Sequence, residues 1–220
     1  MAQGYVKAVD LPQVIPVFPL PGAIPLPRGQ LPLNIFEPRY LNMIDDAMAG
    51  ERMLGMIQPT GGTAQLPSLS AVGCAGRITS FAETSDGRYL ITLTGIARFR
   101  ITTELPSQTP YRQVRAAFAP ARKADLSAPH EGEAFDRPAF LAGLKHYLER
   151  RQLEIDWETA EAAPQEALIN SLSMALPFEP AEKQALLESP ALDDRVDVLT
   201  ALMRIDAAET GDGDTPTSMQ

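Results

Sequence analysis

Cysteine and histidine are almost missing from this sequence. Cys74 is the single cysteine, so no intramolecular disulfide can form, which is compatible with a reducing cytoplasm. The two histidines are His130 and His146. Their spacing along the sequence from Cys74 and from each other does not match a known metal-binding pattern. No designated base stands near Cys74 in the sequence either. We therefore expect no metal, no cofactor and no catalytic residue.

Long apolar runs and positive charge are also scarce. No run approaches the roughly 18 apolar residues of a membrane span, and residues 1–10 lack the apolar centre of a secretion signal. The 19 basic residues face 28 acidic ones, which gives a formal net charge of −9. Such a surface repels phosphate backbones and anionic membranes unless its basic residues cluster. We expect a soluble cytoplasmic protein with no membrane partner, and nucleic acid is a disfavoured partner.

The most informative stretch is residues 31–40, where a strand runs directly into a helix. Leu31, Leu33 and Ile35 alternate with polar or proline positions, the pattern of a half-buried strand. Pro38 suits the first helical position, where a missing N–H costs nothing. Apolar residues then recur at helical spacing and form one face: Tyr40, Met43, Ile44, Ala47 and Met48.

The first half of the chain has the pattern of short strands separated by turns, which is typical of a barrel or sandwich. Residues 58–69 predict a loop of about a dozen residues. Asp86-Gly87 predicts a type I′ hairpin turn, and Gly95 predicts a bulge. The predicted strands are 14–18, 31–35, 53–57, 77–84, 89–94, 96–104 and 111–118.

The second half has the pattern of helices. Residues 123–132 are polar and predict a linker, and residues 207–220 predict a disordered tail. Ser189-Pro190 predicts a cap and first residue for the last helix. The sequence thus indicates an α+β fold, with a barrel subdomain over 1–122 and a helical subdomain over 132–206. The other predicted helices are 38–48, 135–153, 165–176 and 180–187.

Several short motifs follow one another in a familiar order. They are FPLPG at 18–22, residues 31–40, GMI at 55–57, VGCAGRI at 72–78, DGRY at 86–89, GIARFRI at 95–101, LPF at 176–178 and EKQALLE at 182–188. Their order and spacing over about 190 residues resemble the Lon-protease N-terminal (substrate-binding) domain. The resemblance implies a PUA-like mixed β pseudobarrel followed by a helical bundle. In Lon proteases this module helps to engage unfolded or tagged substrates, ahead of an ATPase and a Ser–Lys protease.

The phosphate-binding pattern G-x-x-x-x-G-K-[ST] of an ATPase is not present. We therefore expect a non-catalytic module without ATPase or protease activity. Its expected ligand is an unfolded or exposed hydrophobic peptide, or a partner protein, held in a groove between barrel and helices. The oligomeric state is open.

Two neighbouring segments are candidates for this binding surface. At the strand–helix junction, the candidates are Phe36, Glu37, Arg39 and Tyr40. The alternative is structural, with Glu37 capping the helix, Arg39 solvated or ion-paired, and Tyr40 in the core. In the proline-rich segment before it, the candidates are Phe18, Pro19, Pro21 and Ile24. One interpretation is a rigid apolar surface that binds peptide. The alternative is structural, with these residues covering the open edge of the barrel.

A group of arginines supports the alternative function, RNA binding by a PUA-like protein. Arg98 and Arg100 share one strand face, and Arg77 and Arg88 could join them in an anion patch. Solvated arginines paired with nearby acids are the competing interpretation. A third hypothesis, a hydrolase, needs a deep pocket that holds titratable residues with shifted pKa values.

Overall fold

The computed structural model describes residues 7–63, 66–106, 108–118, 123–127 and 135–209. A short 3₁₀ turn, Ala8–Asp10, precedes the strands. The strands are β1 (Val14–Pro19), β2 (Gln30–Ile35), β3 (Met53–Ile57), β4 (Pro59–Gly62), β5 (Pro67–Leu69), β6 (Val72–Glu83), β7 (Tyr89–Leu105) and β8 (Arg112–Ala117). The helices are α1 (Pro38–Ala49), α2 (Lys123–Leu126), α3 (Arg137–Arg151), α4 (Trp157–Ala162), α5 (Gln165–Ala175), α6 (Pro180–Glu188) and α7 (Leu192–Glu209).

Six strands form a mixed sheet that closes on itself. The order is β2-β7-β6-β3-β1-β8, and β7 also pairs with β8, so five strands make a ring with β2 at its outer edge. The β1–β3 pair is parallel, and the other pairs of this sheet are antiparallel. With the helices that follow, this confirms the predicted α+β fold with a PUA-like pseudobarrel and a helical bundle. The division into two subdomains stays a prediction. Below, "barrel subdomain" denotes residues 7–118 and "helical subdomain" residues 135–209.

The long strand β7 has a bulge beside Gly95, as predicted. The register shifts there, because Ala75 lies opposite Ala97 while Gly76 lies opposite Gly95. A side chain on Gly95 would overlap the carbonyl oxygen of Leu26. Glycine at this position therefore lets the chain before β2 cross directly over the sheet.

Helix α1 packs on one face of the sheet, against Leu54, Met56 and Leu93 among others. Tyr40, Met43, Ile44 and Ala47 are buried, and Pro38 occupies the first turn, as predicted. The side chain of Glu37 does not cap the helix, which corrects that interpretation. Two tyrosines also hold the second half of α1. Tyr89, the first residue of β7, donates a hydrogen bond to Asp45 (2.9 Å), and Tyr111, just before β8, donates one to Asp46 (2.6 Å).

Two predictions about connections were wrong. Residues 58–69 contain the antiparallel pair β4–β5 rather than an unstructured loop. The turn between β6 and β7 is not type I′, because only Gly87 (φ 78°) has a positive φ there. Gly87 donates to the carbonyl of Thr84 (3.0 Å), and residues 84–88 connect the strands, with Gly87 in the left-handed position.

The helical subdomain has its own apolar core, which includes the predicted face of α3: Phe140, Leu144, Tyr147 and Leu148. The last helix begins at Leu192, later than predicted, because Ser189 ends α6 by donating to the carbonyl of Ala185 (3.0 Å). Helix α7 continues to Glu209, three residues into the predicted tail. Residues 210–220 lie outside the described part of the chain.

Candidate functional site

A cleft of about 770 Å³ opens on the barrel subdomain. It lies between the start of α1, the β4–β5 hairpin and the connection from β7 to β8; we call it the barrel cleft. Apolar side chains form much of its wall, among them Leu66, Leu105 and Tyr111. Five prolines also line it: Pro19, Pro21, Pro59, Pro67 and Pro110.

The charges of the barrel cleft are paired with one another. Arg39 forms an ion pair with Glu37 (2.9 Å), and its guanidinium lies 4.5 Å from the centre of the Tyr40 ring. Arg112 binds Glu104 through two parallel contacts, Nε–Oε1 at 2.5 Å and Nη2–Oε2 at 2.6 Å. The cleft is thus an apolar channel with compensated charges at its rim.

The titratable groups of the cleft are poorly suited to acid–base catalysis. Burial raises the pKa of Tyr40 and of Tyr111 above the ordinary value. The hydrogen bond from Arg112 lowers the pKa of Glu104. Each shift moves the pKa away from neutral pH, where a general acid or base needs it. Within the described residues, no three His, Cys, Asp or Glu side chains form a group that could hold a metal ion.

The structure brings four of the eight predicted peptide-binding residues together in the barrel cleft. They are Pro19, Pro21, Arg39 and Tyr40. Glu37 stands behind the rim as the partner of Arg39. Phe18 is buried, with its ring centre 4.1 Å from that of Tyr40, so it supports the wall from inside.

The other two predicted residues lie elsewhere. Phe36 is 63% exposed and does not line the cleft. Ile24 is buried in a cluster between the two subdomains, together with Val72, Cys74 and Leu187. The proline-rich segment therefore has two roles, because Pro19 and Pro21 face the cleft whereas Ile24 packs under the helices.

The predicted groove between barrel and helices is filled by side chains. Asn170 of α5 donates to the carbonyl of Pro27 (3.1 Å), and Gln184 of α6 donates to the carbonyl of Val72 (3.0 Å). Hydrogen bonds of this kind, added to the apolar cluster around Ile24, hold the two surfaces in contact. The location of the predicted binding groove was therefore wrong, and the barrel cleft is lined by residues of the barrel subdomain alone.

The four predicted anion-binding arginines do not form one patch. Arg98 is 3% exposed and pairs with Asp125 (2.7 Å), so it cannot meet an external anion. Arg88 lies at the β6–β7 turn and pairs with Asp86 (2.9 Å). Ten residues separate Arg88 from Arg98, which is about 30 Å of extended strand. Of the remaining two, Arg77 is half-buried and Arg100 is exposed.

Sequence reasoning missed two parts of this arrangement. The β4–β5 hairpin supplies one wall of the cleft, and Gly61-Gly62 was the available signal, since both glycines have positive φ. Asp125 falls within the predicted polar linker, yet it is 2% exposed and binds Arg98. No local pattern marks Asp125, because its partner lies 27 positions away.

Comparisons with known proteins agree on one family. The model of the ATP-dependent protease La (LON) substrate-binding domain matches residues 14–204. Lon protease 2 of Myxococcus xanthus is 26% identical over 91% of this chain and 24% of its own length. Lon protease of Syntrophus aciditrophicus is 30% identical over 50% of this chain and 14% of its own length. The chain thus spans about a quarter or less of these relatives.

Two solved structures share the fold. A Lon N-terminal domain protein from Xanthomonas campestris superposes with a TM-score of 0.60 at 22% identity, covering 86% of this chain and 97% of the other. The N-terminal domain of the Mycobacterium avium complex Lon protease superposes with a TM-score of 0.59 at 20% identity, covering 87% of this chain and 98% of the other. No helix in the described ranges has the length and apolar character needed to cross a bilayer. With the family model matching most of its length, this chain belongs to the Lon substrate-binding domain family.

Proposed function

We propose that this chain is a non-catalytic module that binds exposed hydrophobic segments of unfolded polypeptides, or of a partner protein, in the barrel cleft. The observation that carries the proposal is the proline-lined cleft of about 770 Å³ beside Tyr40. Its volume lies within the roughly 300–1,000 Å³ typical of ligand sites. Membership of a substrate-binding family supports the same ligand class.

The rigidity of the walls supports binding of an extended chain. Proline fixes φ and has no N–H, so the backbone at the five proline positions has one dihedral angle fewer that can change when a ligand binds. A preformed wall loses little entropy when a ligand binds. The paired charges around Arg39 and Arg112 add no unpaired ion that an apolar ligand would have to cover.

Leu66 at the tip of the β4–β5 hairpin is the residue most suited to hold an apolar side chain. It lines the cleft and is 66% exposed in the free protein. Covering a leucine side chain contributes about 1.5–3 kcal/mol. A few such contacts, reduced by the cost of association, correspond to micromolar affinity.

The absence of catalysis in this proposal follows from the chemistry of the cleft. The pKa values of Tyr40 and Glu104 are shifted away from neutral pH. The matched family model also describes a substrate-binding domain. We place the protein in the cytoplasm. The buried free thiol of Cys74 is compatible with that compartment.

Calorimetric titration with an uncharged test peptide would test the proposal. We would use an acetylated and amidated peptide of alternating Leu, Phe and Ser residues. Leu66→Asp should weaken binding about tenfold or more, because it places a charge where an apolar side chain packs. Leu90→Asp is the matched control, since Leu90 is also exposed (45%) but lies outside the cleft. No heat of binding to the wild type, or equal loss in both variants, would contradict the proposal.

RNA is the competing ligand, and a separate assay distinguishes it from a peptide. The charge of −9 and the buried Arg98 disfavour a phosphate-binding surface. A mobility-shift assay with single-stranded RNA at low salt should therefore show no complex. A complex whose affinity falls steeply with salt, and that Arg100→Ala weakens, would favour RNA binding instead.

A further inference from the structure

A second cavity, of about 260 Å³, lies entirely within the helical subdomain. We call it the helical pocket. It opens between the start of α3, the first residue of α5 and one face of α7. Its volume equals that of about eight or nine water molecules. The helical pocket is therefore large enough for one long side chain, not for a folded partner.

The walls of the helical pocket combine aromatic rings with carboxylates. Phe135 and Phe140 contribute two rings whose centres lie 5.2 Å apart. Asp193 and Asp197 face the same cavity from α7. They are four residues apart and therefore lie on one side of the helix. Both are exposed, and neither carboxylate has an ion pair or hydrogen bond to another residue in the described ranges.

The positive charge nearest to these carboxylates in the pocket lining is Arg204. It is seven residues beyond Asp197, which is about 10 Å along a helix. No ion pair joins Arg204 to Asp193 or Asp197. The two aspartates therefore repel each other without a cation between them.

An independent observation comes from Gln165, the first residue of α5. Its side chain lines the helical pocket and is 8% exposed. Its Nε2 group is buried and has no hydrogen-bond partner. A buried donor without an acceptor is costly, and nearly all such groups in folded proteins are paired. An acceptor atom that enters the pocket and displaces the atoms covering Nε2 would remove this cost.

We propose that the helical pocket binds the arginine side chain of a polypeptide. The guanidinium group lies between Asp193 and Asp197, where its planar donors match carboxylate oxygens. The aliphatic stem packs on Phe135 and Phe140. The Gln165 amide donates to a carbonyl of the same polypeptide. This site is separate from the barrel cleft and does not depend on the function proposed there.

Titration with two small probes, followed by ¹⁵N NMR, tests the proposal. N-acetyl-arginine methylamide should shift the amide signals of Asp193, Val196 and Asp197. N-acetyl-citrulline methylamide has the same shape without the charge, and it should bind about tenfold more weakly. Equal affinity for the two probes, or shifts elsewhere only, would overturn the proposal.

Paired substitutions separate a local site from general attraction to an acidic protein. D193N combined with D197N should lower the affinity for N-acetyl-arginine methylamide about tenfold or more. The control, E158Q with E161Q on α4, removes the same charge at exposed positions outside the pocket. It should leave the affinity within about twofold, because distant exposed charges are screened. Equal effects of the two pairs would mean that only net charge attracts the probe.

The role of Gln165 has its own test. Q165L removes the donor and should lower the affinity for N-acetyl-arginine methylamide several-fold. It should leave n-butylguanidinium unaffected, because that probe has no carbonyl. Weaker binding of both probes, or of neither, would contradict the Gln165 contact. Thermal unfolding of each variant checks the fold, and Asp197→Asn alone replaces the double variant if that one unfolds.

Discussion

Arg98 of β7 and Asp125 of α2 form an ion pair of 2.7 Å in which both side chains are 3% exposed. Arg98 also donates to the carbonyls of Leu187 (3.1 Å) and Ser189 at the end of α6. A single side chain from the barrel thus reaches both α2 and the helical subdomain. This relationship explains why the groove predicted at that junction is closed.

Arg98→Ala should destabilise the protein strongly. The substitution leaves Asp125 charged and buried without its partner, which typically costs about 3–5 kcal/mol. Urea unfolding, followed by circular dichroism, gives the change in the free energy of unfolding. Arg88→Ala breaks an exposed pair with Asp86 and should change stability little. If the two variants were equally stable, Arg98 would not be the connection described above.

Cys74 should be unreactive in the folded protein. Burial raises the pKa of its thiol to about 12. At pH 8 about one molecule in ten thousand would carry the reactive thiolate even with free access. We expect modification by 5,5′-dithiobis(2-nitrobenzoic acid) to be rapid in urea and very slow in buffer. Rapid modification in buffer would show that the cluster around Cys74 opens readily.

Glu104 should make stability depend on pH in the acidic range. Its pKa is lowered in the folded state by the hydrogen bond from Arg112, so folding favours the charged form. The contribution is complete above the ordinary pKa of 4.5 and is lost as the pH falls through the lowered value. The free energy of unfolding of Glu104→Gln should therefore fall less than that of the wild type as the pH is lowered from 5.

Urea unfolding at a series of pH values measures this difference. Glu51→Gln, at an exposed position after α1, is the control and should follow the wild-type curve. A Glu104→Gln curve parallel to that of the wild type would contradict the contribution of this carboxyl group.

Replacement by alanine should change stability in opposite directions at Gly95 and at Gly143. Gly95→Ala would place a methyl group against the carbonyl oxygen of Leu26 and should cost about 1–3 kcal/mol. Gly143 lies within α3 with open space where a side chain would stand. Gly143→Ala should add about 0.5–1 kcal/mol, because alanine favours helix. Thermal or urea unfolding of both variants checks the signs, and a stabilised Gly95→Ala would disprove the close crossing.

Patterns that depend on neighbouring residues predicted the fold well. The alternation of Leu31, Leu33 and Ile35 gave β2, and the spacing of Tyr40, Met43 and Ile44 gave α1. These signals are local, because a strand or helix repeats every two or 3.6 residues. The β4–β5 hairpin was missed, since its strands are short and rich in glycine and proline.

Contacts between distant parts of the chain could not be predicted from one sequence. Asp125 looks like a linker residue until Arg98 is placed beside it. Of the predicted peptide-binding residues, Tyr40 and Arg39 line the barrel cleft, whereas Ile24 packs between the subdomains. Which side of the proline-rich segment faces solvent depends on how the helices close over it. That arrangement is set by tertiary packing, so no local pattern contains it.

The most direct test of the central claim is a map of where an unfolded segment binds. The uncharged Leu, Phe and Ser peptide, titrated into ¹⁵N-labelled protein, should shift amide signals around Tyr40, Leu66 and Leu105, at the walls of the barrel cleft. The spectrum of Leu66→Asp should change much less at the same peptide concentration. Shifts confined to the helical subdomain, or none at saturating peptide, would contradict the assignment of the barrel cleft as the binding site.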